Sequence, residues 1–217
     1  MEDKQTNRHR HLKQQILPVA RKAFSLHGIK AVKMDDIASY LKISKRTLYE
    51  TYQNKEELLF DVLVDSFKEW DTKMELFAKQ TDDIMDLLLE FLRLHTEMYA
   101  NTNPLFFSEL SRYAGLSERF KVIRGRDEDK CQEFFAKGIE EGYFRDDVNY
   151  GLLVKISRDM HMLFRTEDDY KSYGMREIFL SFVCSLLRGV CTEKGIKRID
   201  AFMKVPSSSD LNSESGS

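Results

Sequence analysis

The sequence predicts an all-α fold of about nine helices, and three observations support that prediction. Leu, Glu, Lys, Arg and Met are plentiful, whereas the 217 residues include only 3 prolines and 10 glycines. These straight-chain residues lose little rotamer freedom in a helix. Apolar side chains recur at spacings of three and four residues, and no run alternates convincingly with the period of two that a half-buried strand requires. Helices alone account for this pattern.

The first four predicted helices have clear local signals at their ends. Gly28 supplies a C-terminal stop for the first, and Pro18 requires that this helix either begins near Leu17 or kinks there. Asp36 lies in the first turn of the second helix, where a carboxylate complements the helix dipole. Ser44 is a good N-cap for the third helix, because its hydroxyl can accept from a backbone amide. The predicted spans are 12–27, 34–41, 45–52 and 55–79.

The later helices are longer and more apolar. A break at 101–104, which contains a proline, separates the fifth helix from a short aromatic one, and Ser117 is predicted to cap the next. The predicted spans are 83–99, 105–113, 118–141, 149–164 and 175–194. Residues 206–217 include six serines and almost no apolar side chains, so this tail is predicted to be disordered.

Charge is distributed unevenly along the chain. Residues 1–55 carry 12 Lys and Arg against 5 Asp and Glu, a net charge of +7, whereas the remainder carries 22 against 31, a net charge of −9. A basic N-terminal part joined to an acidic body indicates that the N-terminal part binds a polyanion. The alternative is a solvated surface on which the charges cluster by chance.

Residues 35–59 combine a short helix, a three-residue turn, a second short helix and a capped long helix. Two helices of two turns need the first helix to complete a core, which the sequence predicts from these apolar residues: Phe24, Ile37, Ala38, Leu41, Ile43, Leu48 and Tyr52. The third helix then faces outward with Lys45, Arg46, Tyr49 and Glu50. A short basic helix of this kind fits a DNA major groove, where Arg46 could bind guanine bidentately.

The segment Met34 to Leu59, MDDIASYLKISKRTLYETYQNKEELL, resembles the DNA-binding domain of the TetR/AcrR family of regulators. The run from Ile16 to Gly28 fits as well, and the segment from Gly138 to Arg145 resembles the ligand domain of that family more loosely. The resemblance implies that the third helix reads the major groove and that Lys55 binds phosphate beside the free amides that begin the fourth helix. The predicted DNA-binding residues are Lys33, Ser44, Lys45, Arg46, Thr47, Tyr49, Thr51 and Lys55.

Three positions depart from the pattern of the family. Lys33 replaces the usual Thr or Ser cap of the second helix, Lys42 occupies a turn position that is often Gly, and Gln53 replaces an aromatic residue. A missing side-chain cap costs about 1 kcal/mol. Lys33 in turn adds a positive charge near the expected phosphates. The sequence read by the third helix therefore does not transfer from relatives.

The resemblance also implies a domain organisation. Residues 1–54 form a helix-turn-helix DNA-binding domain with a basic, flexible N-terminal arm, residues 55–205 form a helical ligand-binding and dimerisation domain, and 206–217 are the disordered tail. Two subunits are expected to pair through the last two helices and to place two DNA-binding domains on a palindromic operator. The apolar stripes predicted for that interface are Leu152, Leu153, Ile156, Met160 and Phe164, and Ile178, Phe182, Ser185, Leu186 and Val190. The alternative is that both stripes are intramolecular core.

An apolar pocket for a small effector is the other feature that the resemblance implies. The candidate residues are Trp70, Met74, Phe91, His95, Met98, Tyr99, Phe106, Phe107 and Met162. Each of them is individually more typical of core than of a ligand contact. The expected partners are thus double-stranded operator DNA, an unknown small-molecule effector and a second copy of the chain.

Other function classes find little support in the sequence. There is no His-Glu-x-x-His, no P-loop, no Gly-x-Ser-x-Gly and no Glu-x-x-His pair, so neither an enzyme, nor a metal site, nor a cofactor is predicted. The three cysteines Cys131, Cys184 and Cys191 lack a CxxC partner, which favours a reduced cytoplasmic setting. No apolar run is long enough to span a membrane. The remaining alternative is a helical ligand-binding or adaptor protein that keeps the fold without binding an operator.

Overall fold

The computed structural model describes residues 2–113, 115–116, 119, 128–159 and 174–204, and these residues form ten α-helices. Their only β-type pairing is a single bridge between Phe144 and Cys191. The all-α fold class is therefore confirmed. The helices are α1 (Glu2–His27), α2 (Met34–Tyr40), α3 (Lys45–Thr51), α4 (Lys55–Ala78), α5 (Ile84–Ala100), α6 (Pro104–Leu110), α7 (Glu128–Glu140), α8 (Tyr150–Asp159), α9 (Met175–Val190) and α10 (Glu193–Met203).

The first of two compact units takes in the described residues of Met1–Lys73 and Asn101–Lys121. Its core is formed where α1, α2, α3, α4 and α6 meet, and it holds these buried residues: Ile16, Ala20, Phe24, Ile29, Val32, Met34, Ile37, Ala38, Leu48, Tyr52, Leu58, Leu59, Val62, Phe106 and Leu116. Of the predicted core residues, only Leu41 and Ile43 remain half-buried at its margin. The predicted domain boundary after Asn54 stays a prediction, since α4 begins within this core.

Helix α1 is longer than the sequence predicts. It begins at Glu2, well before the predicted start near residue 12, and the arm expected to be flexible is helical. Because the helix passes through Pro18, the start near Leu17, one of the two alternatives left open by the sequence, is wrong. Pro18 lacks a backbone N–H, and because it is exposed, the helical hydrogen bond that it cannot make is lost at the surface of the helix. The helix ends as predicted: the amide of Gly28 donates to the carbonyl of Phe24 at 2.9 Å, with φ of +80° at the glycine.

The second unit takes in the described residues of Met74–Ala100 and Val122–Ser217. Its core is apolar and includes Ile84, Met85, Leu92, Cys184 and Ile199, each at most 3% exposed. Helix α5 packs against α7, α9 and α10. The side chains of this core come from both ends of the unit's sequence, which joins the segments into one body.

A loop between α7 and α8 packs against the junction of α9 and α10. The Arg145 amide donates to the Val190 carbonyl at 3.0 Å, and the Thr192 amide donates to the Tyr143 carbonyl at 2.9 Å. A Cβ atom on Gly195 would lie 2.5 Å from that same Tyr143 carbonyl, so only glycine permits this approach.

The predicted helix over 175–194 is wrong at its C-terminal end, because the chain forms two helices there. Cys191 is extended, and the Thr192 side chain caps α10 by accepting from the Gly195 amide. The bridge to Phe144 fixes that break. Consequently α8 and α9, the two helices predicted to pair subunits, are followed by a further helix.

In each of the two predicted dimer stripes, some residues pack within the subunit and others do not. Ile178 and Val190 are buried within the subunit, and Leu153 packs against the core of the second unit. Leu152 and Ile156 are exposed instead. Part of each stripe is thus intramolecular core, as the alternative interpretation held for both.

Some predictions concern residues outside those described. These are the Ser117 cap, residues 118 and 120–127 of the 118–141 helix, Met160, Met162, Phe164 and the 206–217 tail. Within the described part of the chain, no helix combines the length and apolarity that crossing a membrane requires.

Candidate nucleic-acid interface

Helices α2 and α3 form a helix-turn-helix whose two axes are fixed by buried side chains. Ile37 and Ala38 bury one face of α2, and Leu48 buries one face of α3. The turn between them is closed by the Ile43 amide, which donates to the Ala38 carbonyl at 3.0 Å. Lys42, at the position often occupied by Gly in the family that the sequence resembles, adopts φ of +55°. The turn therefore has a left-handed residue although the sequence supplies no glycine.

The back of α3 is tied to its neighbours through Tyr52. Its ring is buried, and its hydroxyl donates to Asp61 Oδ2 at 3.1 Å, the same oxygen that accepts from Lys13 Nζ at 2.8 Å. Burial, followed by the nearby Asp61 carboxylate, raises the pKa of Tyr52, so the phenol stays protonated and keeps donating. This face of α3 cannot turn toward DNA, which leaves the opposite face for recognition.

Hydroxyl groups stabilise α3 from its first residue. Ser44 Oγ accepts from the Thr47 amide at 3.0 Å, which confirms the predicted N-cap, and it lies 2.7 Å from Thr47 Oγ1. Thr51 Oγ1 donates to the Thr47 carbonyl at 3.0 Å. The three serine and threonine hydroxyls of the predicted DNA-binding set therefore have local partners, and their contacts to DNA stay predictions.

The outer face of α3 presents cations that are paired with carboxylates. Lys45 Nζ lies 2.6 Å from Asp35 Oδ2, and Arg46 Nε donates to Glu50 Oε1 at 2.8 Å. The hydrogen bond to Asp35 raises the pKa of Lys45, and that to Glu50 raises the pKa of Arg46. Both pairs are exposed, and such pairs add little stability. Phosphate or a base edge can replace the carboxylates at small cost.

Two tyrosines of the helix-turn-helix are exposed. Tyr49 on α3 is 45% exposed, as its predicted contact to DNA requires. Tyr40, at the end of α2, is 73% exposed and was absent from the predicted set. The spacing of the buried residues Met34, Ile37 and Ala38 contains the signal for it, since Tyr40 falls at the edge of the stripe that they form on α2.

Lys33 precedes α2 and is exposed, as predicted, without a side-chain cap. Asp36 supplies part of the missing cap, because its Oδ2 accepts from the Lys33 amide at 3.2 Å. The ammonium of Lys33 is thus free of any role in the cap.

Lys55, predicted to bind phosphate, is half-buried, and its ammonium lies among backbone carbonyls. Nζ donates to the carbonyls of Ile29 at 2.8 Å, Val32 at 2.9 Å and Lys30 at 3.4 Å. Burial lowers the pKa of Lys55, and the nearby Glu109 partly offsets that effect. A DNA contact by Lys55 stays a prediction.

The start of α4 is capped by its own side chains. Asn54 Oδ1 accepts from the Glu57 amide at 2.9 Å, and Glu57 Oε2 accepts from the Gln53 amide at 3.0 Å. The expectation of free amides at this helix start is therefore wrong for Glu57.

The predicted pocket residues separate into several environments. Phe91, His95 and Tyr99 form an aromatic cluster with Phe179 in the second unit, where the ring centroids of His95 and Phe179 are 5.4 Å apart and nearly parallel. The other described candidates are not in this cluster. Phe106 and Phe107 pack in the first unit, Trp70 and Met74 are half-buried on α4, and Met98 is exposed.

Comparison with known proteins places this geometry in a family. The family model described as "Bacterial regulatory proteins, tetR family" matches residues 16–62, which include every predicted DNA-binding residue. The repressor KstR2 of Mycobacterium tuberculosis is 28% identical over 157 residues, covering 67% of this chain and 75% of that protein. The chain belongs to the TetR family.

Further relatives agree with that assignment. QacR of Staphylococcus aureus, a transcriptional regulator, is 27% identical over 144 residues, 64% of this chain and 77% of QacR. Two solved structures share the TetR-family fold: KstR2 of M. tuberculosis, with a TM-score of 0.52 at 22% identity over 83% of this chain and 95% of that one, and RolR bound to resorcinol, with a TM-score of 0.62 at 15% identity over 93% and 98%. As a TetR-family member, the chain is a DNA-binding transcriptional regulator, and α3 lies within the residues that match the family model.

Proposed function

We propose that this protein is a repressor that binds a palindromic operator as a homodimer and leaves it when a small apolar molecule binds the second unit. The observation that carries the proposal is the outer face of α3, where Lys45, Arg46 and Tyr49 project from a helix whose opposite face is buried. KstR2 is named a repressor, which supports the same mode of regulation here. The proposal is for a binding protein that acts on DNA in the cytoplasm and not for an enzyme.

In this proposal α3 enters the major groove with its N-terminal residues at the base edges. Arg46 reads a guanine, and Lys45 and Tyr49 contact bases or phosphates. Lys33 and Tyr40, which are exposed at the two ends of α2, contact the flanking backbone. The hydroxyls of Ser44, Thr47 and Thr51 mainly hold α3 together, since each has a partner within the domain.

A symmetric dimer would present two such helices to two half-sites. Support comes from α8, where Leu152 and Ile156 lie one helical turn apart on the same face with 54% and 56% of their surface exposed. On α9, Phe182 and Leu186 are half-buried. Large apolar side chains left exposed at this spacing are typical of an interface.

The effector would bind beside the aromatic cluster of Phe91, His95, Tyr99 and Phe179. Flat rings at offset-stacking distances favour a small apolar or aromatic ligand. RolR, which shares the fold, is bound to resorcinol in its solved structure, and KstR2 is titled a ketosteroid regulator. Both names support an apolar effector class without identifying the molecule.

The decisive experiment is selection of a duplex from a random-sequence pool, followed by Arg46→Ala. We expect the wild type to select a palindrome and to bind it with a steep salt dependence. Arg46→Ala should lose about 1–3 kcal/mol of discrimination at one base pair of each half-site. If the wild type selects no sequence, the operator proposal fails and the adaptor alternative gains. A molecule that raises the melting temperature and also releases the selected duplex would identify the effector.

A further inference from the structure

The ammonium of Lys55 is fully used within the protein. Its three N–H groups have three acceptors, the carbonyl oxygens of Ile29 and Val32 at 2.8 and 2.9 Å and that of Lys30 at 3.4 Å. Ile29 and Val32 are themselves buried. If Lys55 turned outward to a phosphate, these carbonyls would lose a charged donor in a partly dehydrated position.

The same loop is held from its other side by α6. The Lys30 amide donates to Glu109 Oε2 at 2.6 Å, so the peptide segment lies between an ammonium from α4 and a carboxylate from α6. Gly28, which opens the loop with a positive φ, is closely packed, because a Cβ there would lie 3.1 Å from Glu109 Oε2 and from Leu105 Cβ. The loop therefore has one conformation fixed by two charged side chains.

The start of α4 is also poorly suited to a phosphate. Asn54 already accepts from one of its amides, and Glu56 and Glu57 place two carboxylates in the first turn. A carboxylate at a helix N-terminus takes the role that a bound anion would otherwise have. This observation is independent of the position of Lys55 and points the same way.

We propose that Lys55 is a positioning residue of the DNA-binding domain, which fixes the loop between α1 and α2 instead of binding a DNA phosphate. That loop ends at Lys33, the residue from which α2 starts. We call the hydrogen bonds from Lys55 to this loop the clamp. The clamp sets where the exposed Lys33 and the first turn of α2 lie relative to α3. This inference rests on the proposed operator binding, and it departs from the phosphate contact that the family resemblance implies for Lys55.

The test compares Lys55→Met and Lys55→Arg with Lys22→Met, which removes a charge from an exposed position of α1. Binding to the duplex selected by the wild type is measured over a range of salt concentrations at a temperature where every variant is folded. A lysine that binds phosphate contributes about 0.9 per subunit to the slope of log K against log salt. A clamp contributes affinity but leaves that slope unchanged.

We expect Lys55→Met to weaken specific binding about tenfold, because the charged hydrogen bonds from the ammonium to the loop are lost. The slope of log K against log salt should stay unchanged. Lys55→Arg should weaken it as well, because a planar guanidinium cannot direct three donors from one nitrogen. Lys22→Met should leave the affinity unchanged. A slope lowered by about 0.9, with affinity retained by Lys55→Arg, would overturn the proposal in favour of a phosphate contact. A lower melting temperature with unchanged affinity would overturn it in favour of a purely structural role.

Amide hydrogen exchange reports on the clamp without DNA. We expect Lys55→Met to speed exchange in residues 29–37 while the amides of α5 keep their protection, and unchanged exchange at 29–37 would refute the clamp. If Lys55→Met does not fold, Glu109→Gln tests the loop from its other side and should give the same local increase with a smaller loss of affinity. Failure of the wild type to select any duplex would instead refute the operator proposal, and the exchange result would still report on the loop.

Discussion

At the scale of single residues, the recognition face carries its own counter-charges. Asp35 pairs with Lys45 and Glu50 pairs with Arg46, so DNA must either displace these carboxylates or bind beside them. In the second pair Nε of Arg46 is the donor, which leaves the two terminal nitrogens of the guanidinium. Those are the groups that reach O6 and N7 of a guanine. If Arg46 keeps this pair when it binds DNA, Glu50 would orient the guanidinium toward a base edge.

Glu50→Ala is expected to change the two kinds of DNA binding in opposite directions. Removing a carboxylate from the DNA-facing helix should raise affinity for random duplex about threefold, because a repulsive charge is lost. Discrimination at the base pair read by Arg46 should fall about fivefold, since the guanidinium becomes free to turn to phosphates. Fluorescence anisotropy with the selected duplex and with a duplex changed at that pair measures both.

Glu56→Ala is the matched control for this prediction. Glu56 is an exposed carboxylate in the first turn of α4. Its removal should affect affinity for both duplexes alike. If Glu50→Ala only strengthens binding and leaves discrimination intact, Glu50 acts by charge alone and does not orient Arg46.

At the scale of elements, the turn between α2 and α3 is strained. Lys42 adopts φ of +55°, a left-handed conformation that costs about 1 kcal/mol for a residue with a Cβ. Its side chain is exposed, so no packing offsets that cost. A lysine at this position adds a positive charge beside α3, but it also strains the backbone of the turn.

Lys42→Gly should therefore raise the free energy of unfolding by up to about 0.5 kcal/mol, because the roughly 1 kcal/mol of strain relieved exceeds the roughly 0.5 kcal/mol that the flexibility of glycine in the unfolded chain costs. Urea denaturation should show a higher midpoint with an unchanged slope. Lys22→Gly, in the exposed interior of α1, should instead lower stability by about 1 kcal/mol. A lower midpoint for Lys42→Gly would mean that the turn conformation is not strained.

Several helix ends were predictable because a neighbouring side chain sets them. Ser44 caps α3, Asn54 caps α4 and Gly28 ends α1, because each acts on the backbone within a few residues. The break after α9 was missed, since it depends on pairing with Phe144 and on the space that Gly195 leaves for Tyr143. Phe144 is distant along the chain, and the need for glycine at position 195 becomes visible only when the position of Tyr143 is known.

In the candidate interface, too, features set by the local sequence were predictable, and features set by helix packing were not. Helical spacing is enough to place Arg46 and Tyr49 outward and Leu48 inward, as the structure has them. It cannot show that Asp35 pairs with Lys45 across two helices, or that the Lys55 ammonium meets carbonyls 23 to 26 residues away. Contacts of that kind depend on how helices pack, which no local pattern in one sequence specifies.

At the scale of the whole molecule, the uneven charge fits a protein with one DNA-binding end per subunit. In the proposed complex, the net +7 of residues 1–55 would attract α3 to DNA, and the net −9 of the rest of the chain would be repelled by it. One α3 contacts only half of a palindrome. In the proposed dimer, affinity for the full operator would depend on holding two subunits together, which would make the proposed interface on α8 and α9 as important as the contacts to bases.

Ile156→Asp should separate the subunits without unfolding them. Ile156 is 56% exposed in the single chain, so the carboxylate stays hydrated in a monomer, whereas in a dimer it would be buried among apolar side chains without a partner. Sedimentation at micromolar concentration should find the wild type dimeric and this variant monomeric with an intact helical spectrum. Binding to the full palindrome should weaken about 100-fold or more, since the second half-site is no longer tethered. Lys155→Asp, on a neighbouring exposed position of α8, should leave the dimer in place. A dimer that persists in Ile156→Asp would place the interface elsewhere.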